Sequence, residues 1–518
     1  MRCDKAKSML VSTEQRNSTL EWTMETHRPS VKSLTRVLIA LTLLGAATRT
    51  SDATGSGIGI VYKDSAPALG LQLANDQACF VDIDNDHFTD IICGGVIWHN
   101  ERGKKFTNIG AASNVVAADY DNDGNVDYFS WSQRKLMRNL GNGKFTDTAL
   151  PILPAAVSRG ACWTDFNNDG FVDLVIGGYE DWDRGITYPT FFLRNDAGKA
   201  FTEIVDVATS RTRGVTAADY DRDGNPDIYM SNYRLQANNL YNVGKDGKSL
   251  RDLAPERRAV ATSDGFDGGH SIGAAWGDID NDGWLDLFAG NFAHVDSRGD
   301  QPKSRFLRSL GPAGKFVFDD LGSCGVFYQE SYASPALADV DNDGRLDLFF
   351  TTVYGTASFG RKNNPVLLRN SGACWFNDVT ALAGVGGIDS TYQAAFGDID
   401  NDGLLELASG GKLYQGSQAV KSHWLGVQLI GNGRTVNRSA IGAQVVVHIG
   451  RQKLVRQVEA GTGEGNQSDL RLHFGLGNIS EAVDAEVYWP DGTRQALHHV
   501  QVDRMQVITQ GGGRTTYR

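Results

Sequence analysis

The strongest constraint on this chain is a nine-residue acidic loop that recurs seven times. The loops begin at Asp82 (DIDNDHFTD), Asp119 (DYDNDGNVD), Asp165 (DFNNDGFVD), Asp219 (DYDRDGNPD), Asp278 (DIDNDGWLD), Asp339 (DVDNDGRLD) and Asp398 (DIDNDGLLE). Oxygen-bearing side chains fall at positions 1, 3, 5 and 9, and position 6 is glycine everywhere except His87. A glycine there permits a left-handed turn, so the four side chains can point inward together. Convergent hard oxygens suit a calcium ion.

The spacings between loops are 37, 46, 54, 59, 61 and 59 residues. Self-similarity at this period predicts a solenoid, propeller or array. Each loop is entered through small and apolar residues such as VVAAD and QAAFGD, and left through short apolar runs such as LVIGG and LFFTT. Runs of that length bounded by tight turns are strands. A third run follows (Leu136 to Asn139, Phe192 to Asn195, Asn239 to Asn242, Phe306 to Ser309, Leu367 to Asn370), and then a fourth at Phe106, Phe145, Phe201, Leu250, Phe318 and Phe376. Four short strands per repeat without helices make a propeller blade. Seven loops have only six fourth strands after them, and Tyr62-Lys63-Asp64 precedes the first loop with the matching pattern. That segment is expected to complete the last blade and remove an open edge. The fold class expected is therefore all-β, a seven-bladed propeller over residues 58–417.

The candidate metal ligands are Asp82, Asp84, Asp86 and Asp90 in loop one, and Asp119, Asp121, Asp123 and Asp127 in loop two. Loop three offers Asp165, Asn167, Asp169 and Asp173; loop four Asp219, Asp221, Asp223 and Asp227. Loops five to seven offer Asp278, Asp280, Asp282 and Asp286; Asp339, Asp341, Asp343 and Asp347; and Asp398, Asp400, Asp402 and Glu406. The first nine positions resemble an EF-hand loop, but Leu287 to Gly290 supply no glutamate at position 12, so the ninth-position acid takes that part. Up to seven structural Ca²⁺ are expected, with a position-7 carbonyl completing each set. His87 and Asn167 weaken loops one and three on this reading. The competing possibility is a set of acidic Asx turns without metal.

Formal net charge is −12, which argues against nucleic acid as a partner. Val37 to Ala47 (VLIALTLLGAA) follows Arg28, Lys32 and Arg36 and is too short to span a bilayer. It is expected to be a signal peptide over residues 1–47, with Met24 as an alternative start, and export to the periplasm or outside follows. Cys79, Cys93, Cys162, Cys324 and Cys374 then remain, too sparse for a disulfide framework, although one or two bridges fit export.

From His423 the period changes. HWLGVQL, QVVVHIG, KLVRQVEA and AEVYWPDGT alternate as strands joined by turns, giving a small β-sandwich-like domain over 421–510 and a disordered tail over 511–518. Arg438, Ser439, Gln467, Ser468 and His473 are its candidate ligand residues, although support for the turns of a small sandwich is the preferred reading of them. Asn437, Asn466 and Asn478 fit the glycosylation acceptor pattern.

The loops with their following strands resemble the FG-GAP/VCBS repeats of integrin-like propellers. NRSAIGAQVVV, EGNQSDLRLHFGLG and VYWPDGT resemble the ASPIC/UnbV module that follows such repeats in the cartilage acidic protein-like family, bacterial members included. The resemblance implies calcium in the turn between adjacent strands, rigidifying each blade, and leaves activity open. Two functions are expected to compete. One is a secreted binding, adhesion or scaffold module for an extracellular protein or carbohydrate, using exposed aromatics such as Trp182, Tyr188, Tyr233 and Tyr354. The other is a polysaccharide lyase or hydrolase in the central funnel, with His270, Arg159, Arg211 and Arg213 as its best constellation. No nucleophile elbow, zinc signature or phosphate loop accompanies them, so no catalytic residue is assigned.

Overall fold

The structure, a computed structural model, describes residues 59–517 apart from 142, 155, 208, 209, 297 and 298. The expected signal peptide, with its alternative start at Met24, lies outside the described residues. Among those described, no helix is long and apolar enough to cross a membrane.

Seven four-stranded antiparallel sheets follow one another in chain order. Each begins with an inner strand of small and apolar residues, such as Val115–Ala118, Thr212–Ala218 or Ala395–Gly397. The acidic loop joins it to the second strand, and the fourth strand lies outermost. Ring closure is as the displaced strand predicts. Ile60–Asp64 pairs antiparallel with Lys412–Gln418, so blade seven takes its outer strand from the beginning of the propeller. Tyr62 secures this joint: it is buried, and its hydroxyl donates to the Leu405 carbonyl at 2.9 Å.

The carboxy-terminal domain has two four-stranded sheets. In one, His423–Ile430 runs antiparallel to Leu472–Gly477 and parallel to Met505–Thr509. In the other, Gln444–Ile449 lies between Gln452–Gln457 and Val483–Tyr488. Val427, Val445, Phe474 and Val487 share one buried cluster with Trp163 and Leu174 of blade three, so the domain's core is continuous with the propeller's. The expected disordered tail is corrected in part. Arg514–Tyr517 forms an edge strand on Met505–Thr509, because a free sheet edge satisfies its backbone groups. All five cysteines after the amino-terminal segment are free and buried.

The segment between Gln452–Gln457 and Leu472–Gly477 is not a surface turn. It enters the propeller's central channel and bonds to the inner strands of the blades. The Trp163 N–H donates to the Ala460 carbonyl (3.0 Å), Gly463 N–H to Ala274 (3.0 Å) and Gln467 N–H to Ala78 (2.9 Å). The Gln467 side chain exchanges bonds with both Ala117 backbone groups. Asn466 Oδ1 accepts from Ala78 N–H, and its Nδ2 donates to Ser334 Oγ and the Tyr392 carbonyl. Arg213 pairs with Glu464 at 2.6 Å. Every blade is touched. The close approach needs glycine on both sides: a Cβ on Gly214 would lie 2.4 Å from the Gly463 carbonyl oxygen, and one on Gly463 (φ +58°) 2.2 Å from Ser334 Oγ. Asn437 and Asn466 are fully buried, which removes them as glycosylation acceptors in the folded chain, whereas Asn478 is exposed.

Two outcomes are expected in thermal or denaturant unfolding. Tyr62→Ala should cost about 3 kcal/mol through the cavity it leaves at the ring closure. Gly463→Val should cost a similar amount, roughly 3 kcal/mol, by overpacking the channel and straining a left-handed position. Wild-type stability for either variant would contradict the closure or the channel-filling role.

Candidate metal centres and the face they build

Within each loop the position-1 aspartate organises the turn. Asp119 accepts from the Asp123 N–H (3.1 Å) and the Gly124 N–H (2.8 Å), and Asp165, Asp278 and Asp339 repeat the pattern. Position 5 accepts from the N–H of position 7, as Asp223 does from Asn225 (2.8 Å) and Asp402 from Leu404 (2.8 Å). Position 9 reaches across the blade. Asp286 accepts from Ile279 N–H (2.9 Å) and from Ser309 N–H (2.8 Å) on the third strand. The turn glycines hold φ near +81° to +100°, and His87 adopts +73° in their place. Ligand oxygens at positions 1, 3 and 5 gather within 4.8 Å of one another in loops one, four and five, and those at positions 1, 3 and 9 do so in loop two.

Position 4, to which the ligand pattern assigns no role, links the loops. It is asparagine in six loops and Arg222 in the fourth, always at φ of +55° to +62°. Its side chain donates to the position-6 carbonyl of the next loop: Asn85 to Gly124, Asn122 to Gly170, Asn168 to Gly224, Arg222 to Gly283, Asn281 to Gly344, Asn342 to Gly403 and Asn401 to His87. The seven bonds close a ring. The recurring DND in the sequence was the available signal. A second set comes from the asparagine ending the third strand: Asn139, Asn195, Asn370 and Asn100 donate to Ile83, Tyr120, Ile279 and Ile399 of the preceding blade.

Loop seven holds three carboxylate oxygens in need of a partner. Asp398 Oδ1, Asp400 Oδ1 and Glu406 Oε1 are buried without a hydrogen-bond partner. A buried carboxylate oxygen in that state is costly unless a cation meets it. The residues therefore fit a divalent ion there. Other loops carry a side-chain cation: Arg138 pairs with Asp121 and Asp123, Arg369 with Asp341 (2.6 Å) and Asp343 (2.7 Å), and His99 with Asp84 (3.3 Å) and Asp90 (3.2 Å). Ligand identity alone did not distinguish loops two and six in this way.

The carboxy-terminal domain lies on the loop face and contacts loop after loop. Arg471 spans the joint between blades seven and one, donating to Asn401 Oδ1 (2.8 Å) and to the His87 and Asp398 carbonyls. Trp424 covers Gly403, where a Cβ would sit 2.1 Å from the indole. Gly475 N–H donates to Asp339 Oδ2 (2.9 Å), and Asn168 Nδ2 donates to the Pro490 carbonyl (3.0 Å). The residues singled out by sequence as ligand candidates serve this contact. Ser439 Oγ accepts from Asp119 N–H, Arg438 N–H donates to Asn122 Oδ1, Ser468 Oγ accepts from Phe396 N–H, and His473 meets Asn342 Oδ1 at 2.6 Å.

A family model described as FG-GAP-like repeat matches residues 119–176, 165–230 and 339–409, and one described as ASPIC and UnbV matches 433–515. The chain carries FG-GAP-like repeats and, after them, an ASPIC and UnbV domain. Human cartilage acidic protein 1 is 23% identical over 492 residues, covering 81% of this chain and 69% of that protein. The mouse protein of the same name is 28% identical over 244 residues, 43% of this chain and 34% of its own length. Among solved structures, YCF48 bound to D1 peptide is similar with a TM-score of 0.40 and 12% identity, covering 70% of this chain and 98% of that one.

The channel mouth away from the ASPIC and UnbV domain is lined by residues that precede or begin the inner strands. The sequence constellation converges here through aromatic rings. The Arg159 and Arg213 guanidiniums lie 5.5 and 5.2 Å from the Tyr179 ring centre, Arg213 is also 5.2 Å from Tyr233 and 5.1 Å from Tyr392, and Tyr233 meets His270 edge-on at 4.8 Å. Arg211 pairs with Glu180 (2.9 Å), which also takes Arg234. Trp182 and Tyr354 are exposed, whereas Tyr188 and Tyr233 are half-buried.

Burial, with neighbouring carboxylates adding to it, pushes Asp82, Asp119, Asp165, Asp219, Asp339 and Asp398 up to about 7, and Asp127 and Asp278 to about 8. In chelator the native state therefore holds protons that the unfolded chain releases near pH 4. Where the native state binds more protons, stability falls as pH rises, here from about pH 4 to about pH 8. Calorimetry in chelator should show a lower Tm at about pH 8 than at about pH 5, and calcium, if bound by the deprotonated loops, should flatten or reverse that slope. A Tm in chelator that climbs over this range would contradict the assignment.

Proposed function

We infer that this protein is an exported, calcium-stabilised scaffold. Its ASPIC and UnbV domain is fixed on the metal face, and its far face is presented to an extracellular protein or carbohydrate partner. The observation that carries the metal reading is the trio of buried, unpartnered oxygens on Asp398, Asp400 and Glu406. The loops supply carboxylates at positions 1, 3, 5 and 9, a donor set that suits calcium better than the smaller, octahedral magnesium. Charge supports it as well: 27 carboxylates lie within seven nine-residue loops, and bound divalent cations would relieve their repulsion. A bound calcium would neutralise each cluster; the chain's own residues hold the loops in register through the position-4 ring and cover them with Arg471, Trp424 and Gly475.

Export is supported by the short apolar segment Val37 to Ala47 behind basic residues. The central channel that a polysaccharide lyase or hydrolase would use is filled by Ala460 to Gln467, so binding is favoured over catalysis.

Thermal unfolding of the mature chain in calcium, in magnesium and in chelator tests the reading, alongside metal analysis of the same sample. Calcium should raise stability by about 2.7 kcal/mol per site at a hundredfold excess over Kd, with a smaller effect of magnesium. Glu406→Gln should lower the bound calcium by one and reduce the shift. A metal-free sample with no calcium-dependent shift would sink the proposal.

A further inference from the structure

The far mouth carries more positive charge than closing the channel requires. Arg213 is consumed by the channel-filling loop: it is buried, bonded to Glu464 through Nε and one terminal nitrogen, and ringed by Tyr179, Tyr233 and Tyr392. Arg211 and Arg234 share the single carboxylate of Glu180. Among the described residues no carboxylate pairs with Arg159, and its Nε is buried without a hydrogen-bond partner. Within ion-pair distance, Arg211, Arg213 and Arg234 thus share two carboxylates, and the charge of Arg159 reaches Glu464 only from further off. Asp181 and Asp183 flank Trp182, and Asp181 is met by Arg184 at 3.8 Å. Glu330, further round the rim, is taken up by His294 and Ser358.

Beside this charge lies a flat aromatic platform. Trp182 is 65% exposed, and Arg234 stacks 3.6 Å from its ring centre. A cleft of about 120 Å³ shares Tyr392 with the mouth and is lined by Asn75, Asp76, Gln77, Ser390 and Thr391, so it offers hydroxyl partners and one carboxylate, and the acidic groups of a ligand must lie on the arginine side. Guanidiniums recognise carboxylate and sulfate groups through paired hydrogen bonds. A few convergent polar groups beside an aromatic surface are how a concave site fixes a ligand's orientation. A sugar ring offers an apolar face to an indole and hydroxyls to amides and alcohols, so a glycan bearing acidic groups matches all three features together.

We propose that this mouth binds an acidic polysaccharide, with uronate or sulfate groups on Arg159 and Arg234 and a sugar ring stacked on Trp182. The proposal rests on the reading of the far face as the partner face. The test is titration of the calcium-loaded full chain, by calorimetry and tryptophan fluorescence, with hyaluronate oligosaccharides (uronate alone), dextran sulfate, neutral dextran and poly-glutamate. Saturable binding of one or both acidic glycans but not dextran is expected, weakened about tenfold or more in Arg159→Ala and in Trp182→Ala. Hyaluronate against dextran sulfate separates uronate from sulfate recognition. The proposal is overturned if neither acidic glycan binds, if the two variants bind as the wild type does, or if poly-glutamate binds as tightly and responds to the same variants, which would assign the mouth to an acidic peptide. Calcium-dependent melting of each sample keeps the two ideas apart. Absent glycan binding with an intact calcium shift sinks the site alone; an absent shift sinks the scaffold reading with it.

Discussion

The structure depends on a closed circle of seven hydrogen bonds, each from a position-4 side chain to the position-6 carbonyl of the next loop. Single bonds of this kind contribute about 1 kcal/mol. Closure changes their meaning, because no loop can shift without straining two neighbours. The circle holds the left-handed backbone at position 4, and that conformation in turn aims positions 1, 3 and 5 at one point. The same contact therefore ties the register of each acidic loop to that of the next around the ring.

An acidic, bond-rich face is what the ASPIC and UnbV domain meets. Its contacts are polar and distributed: Arg471 on loops one and seven, Gly475 on Asp339, and Gln444 and Gln457 on Asp219. On the proposed calcium reading, bound cations would relieve the repulsion among the loop carboxylates on this face. The channel-filling loop adds a second anchor, whose buried Arg213–Glu464 pair lies far down the axis. Removing either partner would leave a buried charge uncompensated. Propeller and domain consequently share one core cluster instead of meeting as two independent bodies.

The two ends of the channel differ chemically. At the loop end, carboxylates dominate and the chain supplies its own cover. At the other end, arginines and tyrosines surround an opening, with Trp182 left in solvent. Putting both the acidic loops and the channel-filling segment on one side leaves the opposite face free of the chain's own second domain.

By itself the sequence determined the seven loops, the four strands of each blade, the displaced outer strand at Tyr62 and the second β domain. These are local facts: the 2-residue alternation, the turn glycine and the DxDxDG spacing each act through neighbours within one repeat. It also placed Arg159, Arg213 and His270 at one mouth, because residues preceding inner strands must gather there in any closed ring. Tertiary structure alone decided that Ala460 to Gln467 enter the channel, that Arg438, Ser439 and His473 serve docking, that Asn437 and Asn466 are buried, and that the last residues form a strand. Those outcomes rest on partners such as Gln467 and Ala117, 350 residues apart in sequence. A turn-like EGNQSD run has the same local pattern in solvent or in a channel. Only the fit of glycine against glycine along the axis distinguishes the two.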